Sequence, residues 1–488
     1  MDKHKNLQLL KETFSIALDY LENSCSERNL RQNLSPAQLK EAFKISIEEK
    51  GADKTTFINY LRKIIEYSVN TNHPFFMNQM YGSQQLAALT GDIITSILNT
   101  SMYTYEVAPL MTLIEKECVA ELGKYIWKND KETDGIFTPG GSISNMMAMV
   151  MARDSRYPDS KKLGIKHLPE LSIFVSDQSH YSFSKNGRIL GFGEDSIVKV
   201  QSDHRGKMKI PALENAIKKE KKKNRIPLML VGTAGLTISG AVDDLKTLTI
   251  IAKRNKMWYH VDAVYGGSLL LSQKHSAKLS GINNADSVSW NLHKMLGIPI
   301  VCAVLMTRRK HDLEKSFSIS ASYLFHDNEA EFDLGQKSLQ CGRRVDALKL
   351  WTAWKYEGQE GFEKRIDILM EKTDLFVHKL NENDDFELFC QPETPIVCFQ
   401  YKPPGIPIKE LNELNKNIRT QLFEEGKMLF NYSQVNDKML LRCVISDDEI
   451  SANQIDQILE VIRDKGQIIL KKSRNSKSDK KRKLVGKV

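Results

Sequence analysis

Apolar residues three and four apart run from Leu7 to about Ser68, the spacing of helices that bury one face, and LSPAQLKEAFKI places Ser35 as an N-cap before Pro36. HPFFMNQMYGS (73–83) breaks that rhythm with aromatics and amides and reads as a loop; an apolar helix follows through Leu98. From about residue 134 short apolar runs take over: GIFT, LSIFVS (171–176), SIVKVQ (196–201), PLMLVGT (227–233), MWYHVD (257–262), SVSW (287–290) and IVCAVLM (300–306). Helical stretches such as SISNMMAMVMARDS and VDDLKTLTIIAKRN separate them. That alternation predicts an α/β domain with a mostly parallel central sheet flanked by helices, in which ligands bind beyond the carboxyl ends of the strands. A helical region from about Val345, the strand runs PIVCFQY (395–401) and KMLLRCVI (438–445), and a closing helix ANQIDQILEVIRDKGQIIL predict a smaller α+β domain. The expected organisation is a helical segment 1–100, a large α/β domain 101–345, a small α+β domain 346–470 and a basic disordered tail 471–488.

With 41% hydrophobic and 27% charged residues, the 488-residue chain has the composition of a globular protein and not of a disordered polyelectrolyte. Its formal charge of +9 is concentrated in the last eighteen residues, where nine Lys or Arg face one Asp. The body is nearly neutral, so polyanion attraction is confined to the tail; KKEKKKNR (218–225) reads as a solvated helix end. The tail has no aromatics to stack on bases, so no specific nucleic-acid contact is expected, although KKRK resembles a nuclear-import cluster. Seven scattered cysteines without CxxC spacing, the lack of an apolar leader at the N-terminus and the lack of a run long enough to span a bilayer predict a soluble, cytoplasmic protein with reduced thiols.

Four signals sit at strand ends. Asp262 ends one strand and Lys294 follows another 32 residues later. FTPGGSISN (137–145) passes from strand to helix through two glycines, with Gly141, Ser142 and Ser144 near a first turn whose amides suit a phosphate. His180 lies just beyond LSIFVS. Each alone also has a structural reading: a strand-end aspartate, a tight turn, a satisfied histidine. Together they match one cofactor, pyridoxal phosphate, which needs a lysine for its aldehyde, a carboxylate at its ring nitrogen, an anion site and a flat group against its ring. No GxGxxG, Walker, HExxH or GxSxG pattern competes with that reading, and no metal is expected.

With FFMNQ (75–79), NTSMYTYEVAP (99–109), TPGGSISNMMAM, SDQSHYS, GTAGLTISGAVD (232–243), HVDAVYGGSLLLSQKH, NLHK (291–294), ASYLF (321–325), LQCGRRVDALKLW (339–351) and LLRCVIS (440–446), the chain resembles the group II pyridoxal-phosphate amino-acid decarboxylases. It resembles in particular the branch of glutamate, cysteine sulfinate and aspartate decarboxylases, over roughly residues 70–470. The resemblance implies the fold type I architecture and a homodimer with shared active sites, built partly from the loop around 316–340. It implies Lys294 as the residue bonded to the cofactor, Asp262 at the pyridine nitrogen, His180 on the ring and Thr233 near the ring oxygen. It carries over Gly141, Ser142, Ser144, Val264, Asn291 and His293 as further cofactor contacts, and Gln79, Tyr81, Ser101 and Arg442 as substrate contacts.

Arg442 implies an acidic substrate. Tyr81 and Ser101 are similar to the aspartate and cysteine sulfinate enzymes, where a bulky ring shortens the pocket; glutamate enzymes use a small residue and Asn there. Aspartate or cysteine sulfinate is therefore expected ahead of glutamate, although Tyr81 simply packing is the alternative. Val264, Leu236 and Leu292 replace the Ala, Thr and Pro usual in relatives. The loop HDNEAEFDLGQKS (326–338) is short and has Phe332 in place of a tyrosine associated with proton return, which leaves Tyr323, His326 or water for that task. A protein of this fold that no longer turns over and acts through its basic tail is the competing class.

Overall fold

The structure, a computed structural model, describes residues 3–23, 29–128, 132–319, 330–435 and 437–485, with side chains of the closing helix described to residue 473 and at 475. The strands among these residues are β1 (Phe76–Met77), β2 (Asp134–Thr138), β3 (Leu171–Ser176), β4 (Ile197–Val200), β5 (Ile226–Thr233), β6 (Trp258–Asp262), β7 (Ser287–Asn291), β8 (Ala303–Thr307), β9 (Phe386–Leu388), β10 (Ile396–Tyr401), β11 (Leu429–Val435) and β12 (Lys438–Val444). They form a seven-stranded sheet in the order β2-β8-β7-β6-β5-β3-β4 and a five-stranded sheet in the order β1-β11-β12-β10-β9.

The large sheet carries the expected crossovers. β4, β3, β5, β6 and β7 pair in parallel, whereas β8 runs antiparallel to both β7 and β2. All residues of β3, β6, β7 and β8 are buried, which is why these strands read as continuous apolar runs. IVCAVLM enters the sheet only at Ala303.

The chain falls into two compact units, one of Gln84–Asp374 with Cys390–Val397, which holds the large sheet, and one of Met1–Ser83, Leu375–Phe389 and Cys398–Val488. This division differs from the expected boundaries in two ways. The segment read as a loop at 73–83 contains β1, which pairs in parallel with β11 as Phe76↔Leu429 and Met77↔Phe430, so the N-terminal helices join the small sheet. The helix Leu86–Leu98 belongs to the large unit instead, because Gly91 brings it so close to the helix Asp346–Asn381 that an added Cβ would lie 2.8 Å from the Leu348 carbonyl oxygen. The Ser35 cap forms as expected: its hydroxyl accepts from the Gln38 N–H and the Gln38 side chain accepts from the Ser35 N–H.

The segment 471–488, expected to be disordered, is helical in backbone to Val485 as the continuation of a helix that starts at Ala452. Lysine and arginine have good helix propensity, and extending an existing helix avoids the cost of nucleation.

Candidate functional site

β5, β6 and β7 end together. Thr233 is in register with Asp262 and Asp262 with Ser289, so Thr233, Asp262 and Asn291 lie along one edge of the sheet. Lys294 follows in a turn in which its N–H donates to the Asn291 carbonyl at 3.3 Å and its own carbonyl accepts from Gly297. His180, just past β3, has its pKa lowered, chiefly by burial; the Asp262 charge opposes that shift and the Lys294 charge adds to it. Asp262 and Lys294 therefore both lie within electrostatic reach of the His180 ring.

Asp262 is 2% exposed and held at both oxygens. Oδ1 accepts from the Val264 N–H at 3.2 Å and Oδ2 from the Asn145 amide at 2.9 Å. Two neutral donors orient a buried carboxylate without neutralising it, which leaves it able to accept a proton-bearing nitrogen. Thr233 is fixed from behind: its N–H donates to Oδ2 of Asp243 at 2.8 Å, and Oδ1 of the same carboxylate accepts from Met208. Burial pushes the Asp243 carboxyl up to about 6.

The strand-to-helix turn after β2 has its two glycines for different reasons. Gly140 adopts φ +124°, and an added Cβ on Gly141 would lie 2.7 Å from Val264 Cγ1 and 3.2 Å from Asn291 Oδ1. The first helical bonds run from Ile143 and Ser144 to the Gly140 carbonyl, so the Gly141 and Ser142 amides precede them. The two serines part company. Ser142 is exposed and its carbonyl accepts from Asn186, whereas Ser144 is buried with its hydroxyl 2.7 Å from that of Thr138. Asn291 Oδ1 is buried without a hydrogen-bond partner among the described residues. A cradle that a single methyl would fill, a buried acceptor awaiting a donor and a carboxylate beside a lysine fit pyridoxal phosphate.

His293 packs against the chain that follows, its Nδ1 2.8 Å from the Cys302 carbonyl, and burial lowers its pKa to about 4. The Ser101 hydroxyl donates to the Cys341 carbonyl and accepts from the Arg343 N–H. Gln79, Tyr81 and Arg442 lie in the other unit. Gln79 is exposed, Tyr81 packs on Phe76 with ring centroids 6.0 Å apart, and the buried Arg442 of β12 donates to the Asn78 carbonyl at 2.7 Å. Tyr323 and His326 lie outside the described residues. Phe332 is described: its ring packs on Tyr105 and lies under the Lys116 ammonium. Sequence reasoning missed Asn145, Asp243 and Ser182; an asparagine on the apolar face of SISNMMAM was the signal for the first.

The model of the pyridoxal-dependent decarboxylase conserved domain matches residues 36–402. Cysteine sulfinic acid decarboxylase of Mus musculus is 37% identical over 466 residues, covering 92% of this chain and 94% of that protein. Acidic amino acid decarboxylase GADL1 of Xenopus tropicalis is 35% identical over 478 residues, covering 95% and 93%. The crystal structure of mouse CSAD in apo form superposes with a TM-score of 0.91 at 36% identity, over 95% of this chain and 99% of that one. With the lysine, carboxylate and imidazole at one sheet edge, these likenesses establish that the chain belongs to the pyridoxal-dependent decarboxylase family.

Proposed function

We propose that the protein removes the α-carboxylate of an acidic L-amino acid as carbon dioxide, acting on aspartate to give β-alanine or on cysteine sulfinate to give hypotaurine in preference to glutamate. The observation that carries this reading is the meeting of Lys294, Asp262 and His180 at the ends of β3, β6 and β7. When bound, pyridoxal phosphate supplies an electron-accepting ring that takes up the pair left by the departing carboxylate. Lys294 would supply the amine that holds the cofactor aldehyde, and Asp262 would accept a hydrogen bond from the protonated ring nitrogen. His180 would lie against the ring, and Thr233, Val264, Asn291, His293 and the Gly141–Ser144 turn would complete the holding set. Phe332 has no proton to give, so another acid returns one to the α-carbon.

The acidic substrate class is supported by Arg442, a buried guanidinium of the fork geometry that suits carboxylates, and by the names of the relatives. Gln79, Tyr81 and Ser101 are assigned with it to substrate selection. A homodimer is supported by exposed apolar side chains in the large unit: Leu86, Ile94, Ile97 and Leu98 on one helix, and Leu110 and Leu113 on the next. We assign the protein to the cytoplasm on its scattered cysteines, which show no CxxC spacing. No helix among the described residues is long and apolar enough to cross a membrane.

The test is to incubate the purified protein and pyridoxal phosphate with aspartate, cysteine sulfinate and glutamate separately, and to identify products by mass spectrometry. β-Alanine or hypotaurine is expected to lead. GABA as the main product overturns the substrate order, and no amine from any of the three overturns the reaction.

A further inference from the structure

Behind Asp262 a line of polar side chains crosses the otherwise apolar face of the large sheet. Trp258, His260 and Asp262 alternate along β6 on one face, and register places His260 beside Ser287 and Asp262 beside Ser289 on β7. The Trp258 indole N–H is 2.8 Å from Ser287 Oγ, which is 2.8 Å from His260 Nδ1. His260 Nε2 is 3.1 Å from Asn145 Oδ1, and the Asn145 amide nitrogen is 2.9 Å from Asp262 Oδ2. All five side chains are buried.

The carboxylate end sets the donors in turn, and His260 Nε2 has Ser289 Oγ as a second neighbour at 3.3 Å. A carboxylate only accepts, so the Asn145 NH2 faces Asp262 and its oxygen faces His260. His260 Nε2 must then carry the hydrogen. Burial lowers the pKa of this imidazole to about 4, so it is neutral and its Nδ1 is bare. Nδ1 accepts from the Ser287 hydroxyl, whose oxygen accepts from the indole, a group that can only donate. The second amide hydrogen of Asn145 reaches Ser182 Oγ at 3.3 Å, two residues beyond His180. Turning the amide over would set its oxygen against the Asp262 carboxylate, force His260 into its other tautomer and lose the bond to that carboxylate.

We propose that Asn145 and His260 are positioning residues for Asp262: the line Trp258–Ser287–His260–Asn145 favours one amide orientation and thereby holds the carboxylate where the cofactor's ring nitrogen needs it. This rests on the role of Asp262 proposed above. The same amide ties that carboxylate to the start of the helix after His180, so the two groups assigned to the ring share one support.

The test uses the full-length protein, stripped of cofactor and titrated with pyridoxal phosphate, with the dissociation constant, the visible absorption of the bound cofactor and the melting temperature of the cofactor-free protein as readouts. His260→Leu removes the hydrogen that orients Asn145, and the dissociation constant is expected to rise about tenfold with an altered absorption band. His260→Gln offers an N–H at the place of Nε2 and is expected to return both toward wild type. Asn145→Asp sets a carboxylate against Asp262, so that the two share a proton, and is expected to weaken binding further than His260→Leu. Asp262→Asn serves as the reference. If Asp262→Asn loses cofactor while His260→Leu and Asn145→Asp bind it with wild-type affinity and spectrum, the line is mere packing and the proposal falls. His260→Gln no better than His260→Leu also overturns it, and this pair decides the matter if Asn145→Asp fails to fold. Wild-type binding by Asp262→Asn overturns instead the role of Asp262 itself.

Discussion

Replacing Arg343 by Met tests how a buried ion pair holds the segments around Met102 and Phe137 in the large unit. The Arg343 guanidinium is buried, with Nη2 2.6 Å from Glu115 Oε1 and 3.3 Å from the Phe137 carbonyl, and Nη1 3.0 Å from the Met102 carbonyl. Glu115 is 1% exposed; its Oε1 also accepts from the Phe137 N–H, and its Oε2 has no hydrogen-bond partner among the described residues. Arg343→Met leaves that carboxylate buried without its cation, a loss of about 3–5 kcal/mol. Two carbonyls lose donors besides, at about 1 kcal/mol each, partly recovered by relaxation. We expect a total of about 5 kcal/mol. Replacing both partners, as Arg343→Met with Glu115→Leu, removes the stranded charge and is expected to cost much less than the sum of the single changes, a coupling of about 2–3 kcal/mol. Urea unfolding followed by tryptophan fluorescence at saturating cofactor measures each corner of the cycle. A single change costing under about 1 kcal/mol, or additive corners, refutes the reasoning. Because the guanidinium also holds the Phe137 carbonyl, just before the glycine turn, weaker cofactor binding is expected in the single variant.

Gly141→Ala drives a methyl into Val264 and Asn291 and is expected to weaken cofactor binding about tenfold, the equivalent of the 1–3 kcal/mol of overpacking. Trimming Val264 to Ala in the same chain is expected to restore it, and unchanged titrations of the single variant would count against the cradle. Asp262→Ala is expected to preserve the far-UV circular dichroism and cut turnover by orders of magnitude; a wild-type rate removes its role. His260 titrates near 4 when folded and near 6.5 when unfolded, so its contribution is present above pH 6.5 and is lost as pH falls toward 4, by about 3 kcal/mol. Asp243, raised to about 6, acts in the opposite sense: its contribution is full below pH 3.8 and is lost as pH rises through 6. The stability of His260→Gln relative to wild type is therefore expected to improve between pH 7 and pH 4 in denaturant melts, and a constant difference would show that the imidazole is not held neutral.

The large sheet was legible because strands covered on both faces are runs of apolar residues, and the strand-end positions of Asp262, Thr233 and Lys294 followed from those runs. The network behind Asp262 was not. His260 sits within an apolar strand and Asn145 within an apolar helix, where periodicity reports only that a face is covered and not which polar atoms meet across it. β1 escaped because two residues carry no period and their partner lies far along the chain. The extent of the closing helix escaped because charge alone cannot distinguish an exposed helix from coil. Family resemblance supplied the expected substrate contacts Arg442 and Tyr81, which spacing could not.

The parallel pairing of Phe76 with Leu429 has a consequence for biogenesis. During translation at 5–20 residues per second, β1 leaves the ribosome some 20 to 70 s before the strand it must join. Its aromatic neighbours Phe75 and Tyr81 spend that interval without Leu429 to cover them, while nearly all of the larger unit is already in hand. The nascent amino-terminal arm is thus the segment for which a chaperone has the longest opportunity, and deletions near residue 429 should strand it after release.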